Sequence, residues 1–451
     1  MIVWFLFAMA VLWIIQFRYR RRRMYKLASA IPAPRTELPG IGIAGSLAGN
    51  AEDIMVTLQK LSYEAMENDG IVRGWLNHIL YFLICDPIDL EVILKNCLEK
   101  DDLHRFIRKI IGYGGIFAPE TAMGVKIGAQ RNSNSPFLTS LNEILDIVCK
   151  RIFHLWLQPD WLFKWFPQFS KHERNIKILH GFTDDVIQKK RTELKKDKQN
   201  QPEADNHYNL CDYQRKSLLD LLIYLSGGDK GYTDVELREE ILTLSIAGTD
   251  TTAVSIGYTL QLMAKYPQVQ NKVYEELCEV LGDANKPIVK EDLHKLKYLE
   301  RVVKESLRLF PPVPFVIRKV EADIELPSGR ILPSGSGVVV SIWGCHRNPK
   351  YWGPDAEHFD PDRFLPERFN LAHPCSYMPF STGPRNCVGY QYALLSIKTT
   401  LSRILLNYKV VEEPETGPIP HIRVKLNIMM KAVDGYQVAL EKRKPSRVTS
   451  T

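Results

Sequence analysis

Phe380-Ser381-Thr382-Gly383-Pro384-Arg385-Asn386-Cys387-Val388-Gly389 places one cysteine in a Gly/Pro loop, and the apolar periodicity from about Tyr390 to Leu406 predicts a helix directly after it. A helix N-terminus offers unpaired N–H groups and the positive end of a dipole. Arg385, two residues before the cysteine, adds a formal positive charge. Both effects lower a thiol pKa, so a thiolate is the expected state of Cys387. A thiolate held in this way is a nucleophile or a metal ligand. For a lone cysteine the plainer alternative is a buried, inert side chain.

Upstream, Ala247-Gly248-Thr249-Asp250-Thr251-Thr252 lies midway along a predicted helix. That helix opens on the capping box Thr233-Asp-Val-Glu236 and runs to Tyr266, before Pro267. Its length of about 33 residues corresponds to roughly 50 Å. Small and hydroxylated residues are poor choices for a helix interior. Threonine hydroxyls bond back to carbonyls and are expected to open the ladder locally, making room for a small ligand with an acid beside an alcohol. A kink packed on a neighbouring helix is the plainer alternative. Glu305 and Arg308 fall at i,i+3 in Lys304-Glu-Ser-Leu-Arg308-Leu-Phe-Pro-Pro. Taken alone they read as an exposed pair worth a few tenths of a kcal/mol.

The pattern Phe-x-x-Gly-x-Arg-x-Cys-x-Gly resembles the haem-binding loop of cytochrome P450 enzymes at Phe380, Gly383, Arg385, Cys387 and Gly389. The resemblance implies a mainly α fold with small β-sheets. Haem would lie between the long helix around 234–266 and the Cys387 loop with its helix. Cys387 would be the axial thiolate ligand of haem b, iron protoporphyrin IX. Arg385 would pair with a propionate, as would Arg318, which follows the Pro311–Pro314 turn. Gly383 and Gly389 would let backbone pass close to the porphyrin. Ala247 stands where members of the clade with covalently bound haem carry glutamate, so no ester to the porphyrin is expected. Thr251 would hydrogen-bond dioxygen and Asp250 would help relay protons. Glu305, Arg308 and Arg363 would form a buried charged triad that fixes the segment carrying the Cys387 loop. His346 reads as a packed or surface histidine rather than a ligand.

The motifs resemble insect microsomal members of the family, among fatty-acid and terpenoid hydroxylases. The implied activity is monooxygenation of a small apolar substrate by O2. Electrons would come from NADPH through NADPH-cytochrome P450 reductase, with cytochrome b5 as a further donor. An oxygen-independent haem-thiolate isomerase or dehydratase is the rival enzyme class, and the Asp250-Thr251 pair speaks against it. A haem-poor, inactive member of the family is the other rival.

Composition narrows the setting. The chain has 451 residues, 45% of them hydrophobic, enough for one large core or two small domains. Eight cysteines lie scattered without a C-x-x-C pair, which suits a reducing compartment. The net charge is +7, yet Arg18, Arg20, Arg21, Arg22, Arg23 and Lys26 supply six of those charges, leaving +1 for the remainder. Nucleic-acid binding has little support from such a balance. Met1 to Ile15 are all apolar, and the basic run follows rather than precedes them. The expectation is a retained membrane anchor at residues 1–17, a basic and Pro-rich hinge at 18–40, and a haem-binding domain from 41 to 451 on the cytosolic side of the endoplasmic reticulum membrane. Residues 138–166 read as helical and aromatic, divided between core packing and membrane contact.

One stretch departs from the family pattern. Gly114-Gly-Ile-Phe-Ala118 is followed at once by Thr121-Ala-Met-Gly-Val-Lys-Ile-Gly. The family has a helix with Trp-x-x-x-Arg in this region, then another long helix. The expectation is an internal truncation near residues 118–121, removing cover from one haem edge and part of the face that docks the electron donor.

Overall fold

In the computed structural model, the described residues are 1–38, 42–76, 78–106, 136–200, 217–225, 231–282, 286–369 and 373–443. The truncation expected at 118–121 lies outside them. The chain forms two compact units, one of residues 1–102, 314–356 and 370–386, the other of residues 103–313, 357–369 and 387–451.

The first unit is built on a four-stranded sheet. Its strands are β1 (Ile71–Leu76), β2 (Ile79–Ile84), β3 (Phe315–Lys319) and β4 (Gly337–Ser341), in the order β1-β2-β4-β3. β2 and β4 run parallel and the other pairs antiparallel. Phe82, Ile84, Val338 and Val340 from the sheet pack with Leu90, Ile93 and Leu94 from the helix Pro87–Asn96. Each such burial contributes about 1.5–3 kcal/mol. That helix starts where sequence chemistry dictates: Asp86 accepts from the N–H groups of Ile88 and Asp89, with Pro87 in the first turn.

Helix α1 (Ile2–Arg20) presents Trp4, Phe5, Leu12, Trp13 and Ile15 on its exposed surface. Among the described residues no helix is long and apolar enough to cross a membrane. Helix α2 (Arg22–Ser29) follows directly, and Met24, Ala28 and Ile31 enter the core of this unit. Arg21 stacks its guanidinium over Trp75 at 5.8 Å and donates to the His78 carbonyl. The stretch expected to be a hinge is therefore tied to the sheet at residues 21–31. Its basic residues lie on one side of a helix whose other side is apolar and buried. The sequence reads as a strand over Ile324–Leu332, but the structure folds it into a two-stranded hairpin, Ile324–Glu325 with Ile331–Leu332. Gly329, at φ +75°, makes its turn.

The second unit is helical. Its centre is α3 (Asp234–Lys265), where Glu236 N–H donates to Thr233 Oγ1 and Thr233 N–H to Glu236 Oε2, as the capping box requires. α3 packs on α4 (Lys297–Leu309) and α5 (Tyr390–Asn407). A tight hairpin of β5 (Val424–Asn427) and β6 (Met429–Ala432) also lies against α3. The polar run from Lys195 to His207 reads in the sequence as a solvated loop, yet the helix Pro167–Asn200 continues through Lys195–Asn200, where Lys195, Lys196 and Lys198 are good helix formers; the rest of that run lies outside the described residues. Residues 138–166 divide by side chain. Leu157 and Phe163 are buried with Ile147, whereas Trp156, Trp161 and Trp165 point outward, Trp165 being 83% exposed.

Candidate haem-thiolate site

On α3, residues from Leu237 to Ile246 and from Val254 to Ala264 supply much of the buried core. Between them, none of residues 247–253 is buried. The helix is thus buried toward both ends and less covered in its middle. Thr251 Oγ1 donates to the Ala247 carbonyl at 2.5 Å, the back-bond expected from the sequence. The expected opening of the ladder does not occur: α3 is continuous from 234 to 265, because the hydroxyl shares the carbonyl instead of displacing its N–H partner. Asp250 is paired with Lys431 of β6, Nζ to Oδ2 2.9 Å. No sequence signal pointed to Lys431, which is separated from Asp250 by more than half of the C-terminal part of the chain.

Cys387 is half-buried, three residues before the start of α5 and two before its N-cap, Gly389. Burial raises the thiol pKa, and the Gly389 N–H opposes that shift. The expected lowering is thus reversed: desolvation outweighs the backbone hydrogen bond. An iron ion bound at the sulfur would favour the thiolate form of Cys387. Arg385 donates through Nε to the Leu98 carbonyl at 3.2 Å.

The loop ahead of Cys387 is held by backbone and one histidine. Met378 N–H donates to His346 Nε2 at 2.9 Å, Ser381 N–H to Met378 O at 2.9 Å and Asn386 N–H to Gly383 O at 3.1 Å. His346 is buried and stacks on Tyr377, so it is a packed residue and an acceptor, not a ligand. Phe380 is half-buried. Gly383 has φ +80°, and a Cβ there would sit 2.5 Å from the Leu94 carbonyl oxygen. Gly383→Ala is expected to destabilise the protein by about 2 kcal/mol, from left-handed strain and this clash. Chemical denaturation measures it, and an unchanged midpoint would contradict the placement of the loop on the helix Pro87–Asn96.

Arg318, on β3, is 8% exposed. Its Nη1 donates to the Ile317 carbonyl at 3.2 Å, but its buried Nε has no hydrogen-bond partner. Burial and then the charge of Arg385 hold its pKa below the usual guanidinium value. A desolvated guanidinium with an unsatisfied N–H and a second cation beside it fits an anionic group such as a carboxylate. The haem propionates have that chemistry. Within the second unit, the less covered middle of α3 and Cys387 at the start of α5 fit a thiolate-ligated group; within the first, the arginine pair fits an anionic one. Among the described residues no group of three or more His, Cys, Asp or Glu converges as a metal site.

Glu305 and Arg308 on α4 are both 0% exposed. They form a bidentate pair, Nε to Oε2 2.7 Å and Nη2 to Oε1 2.8 Å. Arg308 Nη2 also donates to the His358 carbonyl at 3.0 Å, and Asp360 N–H to Glu305 Oε1 at 3.0 Å. Arg363 Nε lies 3.7 Å from Glu305 Oε1. Burial replaces the exposed pair that spacing alone would suggest, and the three residues come together as the family pattern implies.

The sequence contains the Trp-x-x-x-Arg spacing once, at Trp343 and Arg347. There the guanidinium lies over the indole at 4.3 Å, in the turn after β4, far along the chain from the stretch where the family's helix was expected.

A family model described as cytochrome P450 matches residues 117–438. "Cytochrome P450 4d2" of Drosophila melanogaster is 36% identical over 332 residues, covering 72% of this chain and 64% of that relative. "Cytochrome P450 4g15" of the same species is 28% identical over 556 positions, covering 96% of this chain and 95% of the relative. A solved structure titled "Crystal structure of cytochrome P450DA heme domain" superposes with a TM-score of 0.72 at 18% identity, over 92% of this chain and 98% of that one. A mainly helical fold with a cysteine loop ahead of a long helix is the class these features define. The chain belongs to the cytochrome P450 family. It spans less than two thirds of the length of the first of these relatives.

Proposed function

We propose that this chain is a haem-thiolate monooxygenase acting on a small apolar substrate, of the fatty-acid, terpenoid or xenobiotic kind. The observation that carries the reading is Cys387 at the start of α5, a helix packed on α3, whose open stretch bears Asp250 and Thr251. The reaction takes one O2, one NADPH and one proton; one oxygen atom enters a C–H bond of the substrate and the other leaves as water. Bound haem supplies the oxygen activation. The chain supplies the Cys387 thiolate and guanidinium groups at Arg318 and Arg385 for the propionates. Thr251 offers a hydroxyl, and Asp250 a carboxylate that carries protons. Glu305, Arg308 and Arg363 fix the segment leading to the Cys387 loop.

NADPH-cytochrome P450 reductase is the electron donor in this reading, with cytochrome b5 as a second. The setting is the endoplasmic reticulum membrane. The exposed apolar side chains of α1 and the outward Trp156, Trp161 and Trp165 support embedding in lipid, since tryptophan favours the bilayer interface. The direct passage from Gly114-Gly-Ile-Phe-Ala118 to Thr121-Ala-Met-Gly in the sequence is what supports an internal deletion near 118–121.

The test is the carbon monoxide difference spectrum of the reduced protein in membranes, followed by NADPH-dependent oxygen uptake with reductase. A strongly red-shifted Soret band with oxygen uptake is the expected result. The band without oxygen uptake would favour an isomerase or dehydratase. No band would sink the monooxygenase reading and leave a haem-poor family member.

A further inference from the structure

We infer that Lys431 is the positioning residue of Asp250, holding its carboxylate in one orientation on the open stretch of α3. The inference rests on the reading of Asp250 as a proton carrier. The two groups meet at 2.9 Å, and each side chain is only 19% exposed. The contact is one of charge, since the buried Asp250 Oδ2 accepts no hydrogen bond of good geometry; attraction between the ammonium and the carboxylate, weakly screened by salt here, is what Lys431 brings to bear.

The hairpin that brings Lys431 is itself fixed. Met430 N–H donates to the Pro312 carbonyl at 2.9 Å, and the Cys149 thiol donates to the Leu426 carbonyl at 3.2 Å. Its tip, Ile428, has φ +61°, rare for a β-branched residue and kept only where surroundings over-determine it. Beyond β6, the ring of Tyr436 lies where a Cβ on Gly257 would be 2.6 Å away, so the segment abuts α3 directly. The ammonium therefore reaches Asp250 from a rigid platform rather than from a mobile surface chain.

The other charged or titratable groups near the pair leave it undisturbed. Lys425 stands opposite Lys431 in the hairpin register, but its Nζ donates to the Val433 carbonyl at 3.2 Å. Arg423 and Asp434 face one another at 3.8 Å, well exposed. The Tyr436 hydroxyl is buried, and the charge of Asp250 adds to the burial that keeps it protonated. Lys431 is thus the cation that sets where the Asp250 oxygens point, and so which way a proton leaves them.

Two measurements test this. The first needs no loaded haem: a double-mutant cycle in thermal unfolding over Asp250→Asn, Lys431→Met and the double variant. Each single change should lower Tm by about 2 °C, and the double should be no worse than either single. Strict additivity overturns the pair. The second is the hydrogen peroxide released per NADPH by the reconstituted holoenzyme. Lys431→Met should raise it roughly fivefold, and Lys431→Arg should restore it to within about twofold of wild type. A merely structural lysine would change Tm without changing this ratio. If Asp250→Asn raises peroxide release and Lys431→Met does not, the positioning role is overturned and the proton-carrier reading stands. If neither change moves it in a turning-over enzyme, the proton-carrier role of Asp250 falls, and the positioning role with it.

Discussion

Cys387→Ser is expected to abolish the red-shifted carbon monoxide band while leaving the fold in place. The serine hydroxyl is isosteric enough to keep the Gly389 N–H contact but cannot supply a thiolate to iron. Cys387 is half-buried and lies in a loop, so little packing is lost. Far-ultraviolet circular dichroism should match wild type, and the melting temperature should move little. The informative control is Cys345→Ser. Cys345 is fully buried, its thiol donates to the Cys375 carbonyl at 3.2 Å, and burial pushes its pKa far up. That thiol is inert, so its replacement should cost stability and leave the band unshifted. A Cys387→Ser variant with an undiminished band would remove this residue from the iron and return it to the class of inert cysteines.

Arg308→Met should have the largest effect on folding. It leaves the Glu305 carboxylate at 0% exposure, facing the Asp360 N–H and Arg363 at 3.7 Å. Removing one partner of a buried pair leaves an uncompensated charge and costs about 3–5 kcal/mol. That is a large part of the stability of an ordinary domain, roughly 5–15 kcal/mol. The His358 carbonyl loses its donor as well. The variant should accumulate poorly, and any soluble fraction should unfold at much lower denaturant. Arg308→Lys should be intermediate, because it keeps the charge but cannot make the bidentate fork. A variant as stable as wild type would mean that the three residues do not bear on the stability of this unit.

How much was legible in the chain varies from residue to residue. Thr233 and Glu236 announced the start of α3 because a capping box is a contact between residues three apart, and local chemistry decides it. Glu305 and Arg308 announced their spacing but not their burial. The difference between a surface pair and a buried clamp depends on the chain around 358–363, some fifty positions away. β1 and β2 pair as a tight local hairpin, whereas the parallel pairing of β2 with β4 joins segments roughly 250 residues apart, which no local pattern specifies. Residues 195–200 stay helical although polar, because a formed helix is extended by one bond per added residue without a new nucleation cost.

The sequence by itself determined the family, through the fixed spacing around Cys387, together with the long helix, its back-bonding Thr251 and the basic run after an apolar start. These depend on the order of residues and on contacts within a turn or two. Only the tertiary structure decided that Lys431 stands against Asp250, that Arg318 keeps a buried unsatisfied N–H, and that the Cys387 thiol is raised rather than lowered. Desolvation and ion pairing depend on which distant atoms exclude water from a group. No stretch of sequence carries that information until the chain has closed around it.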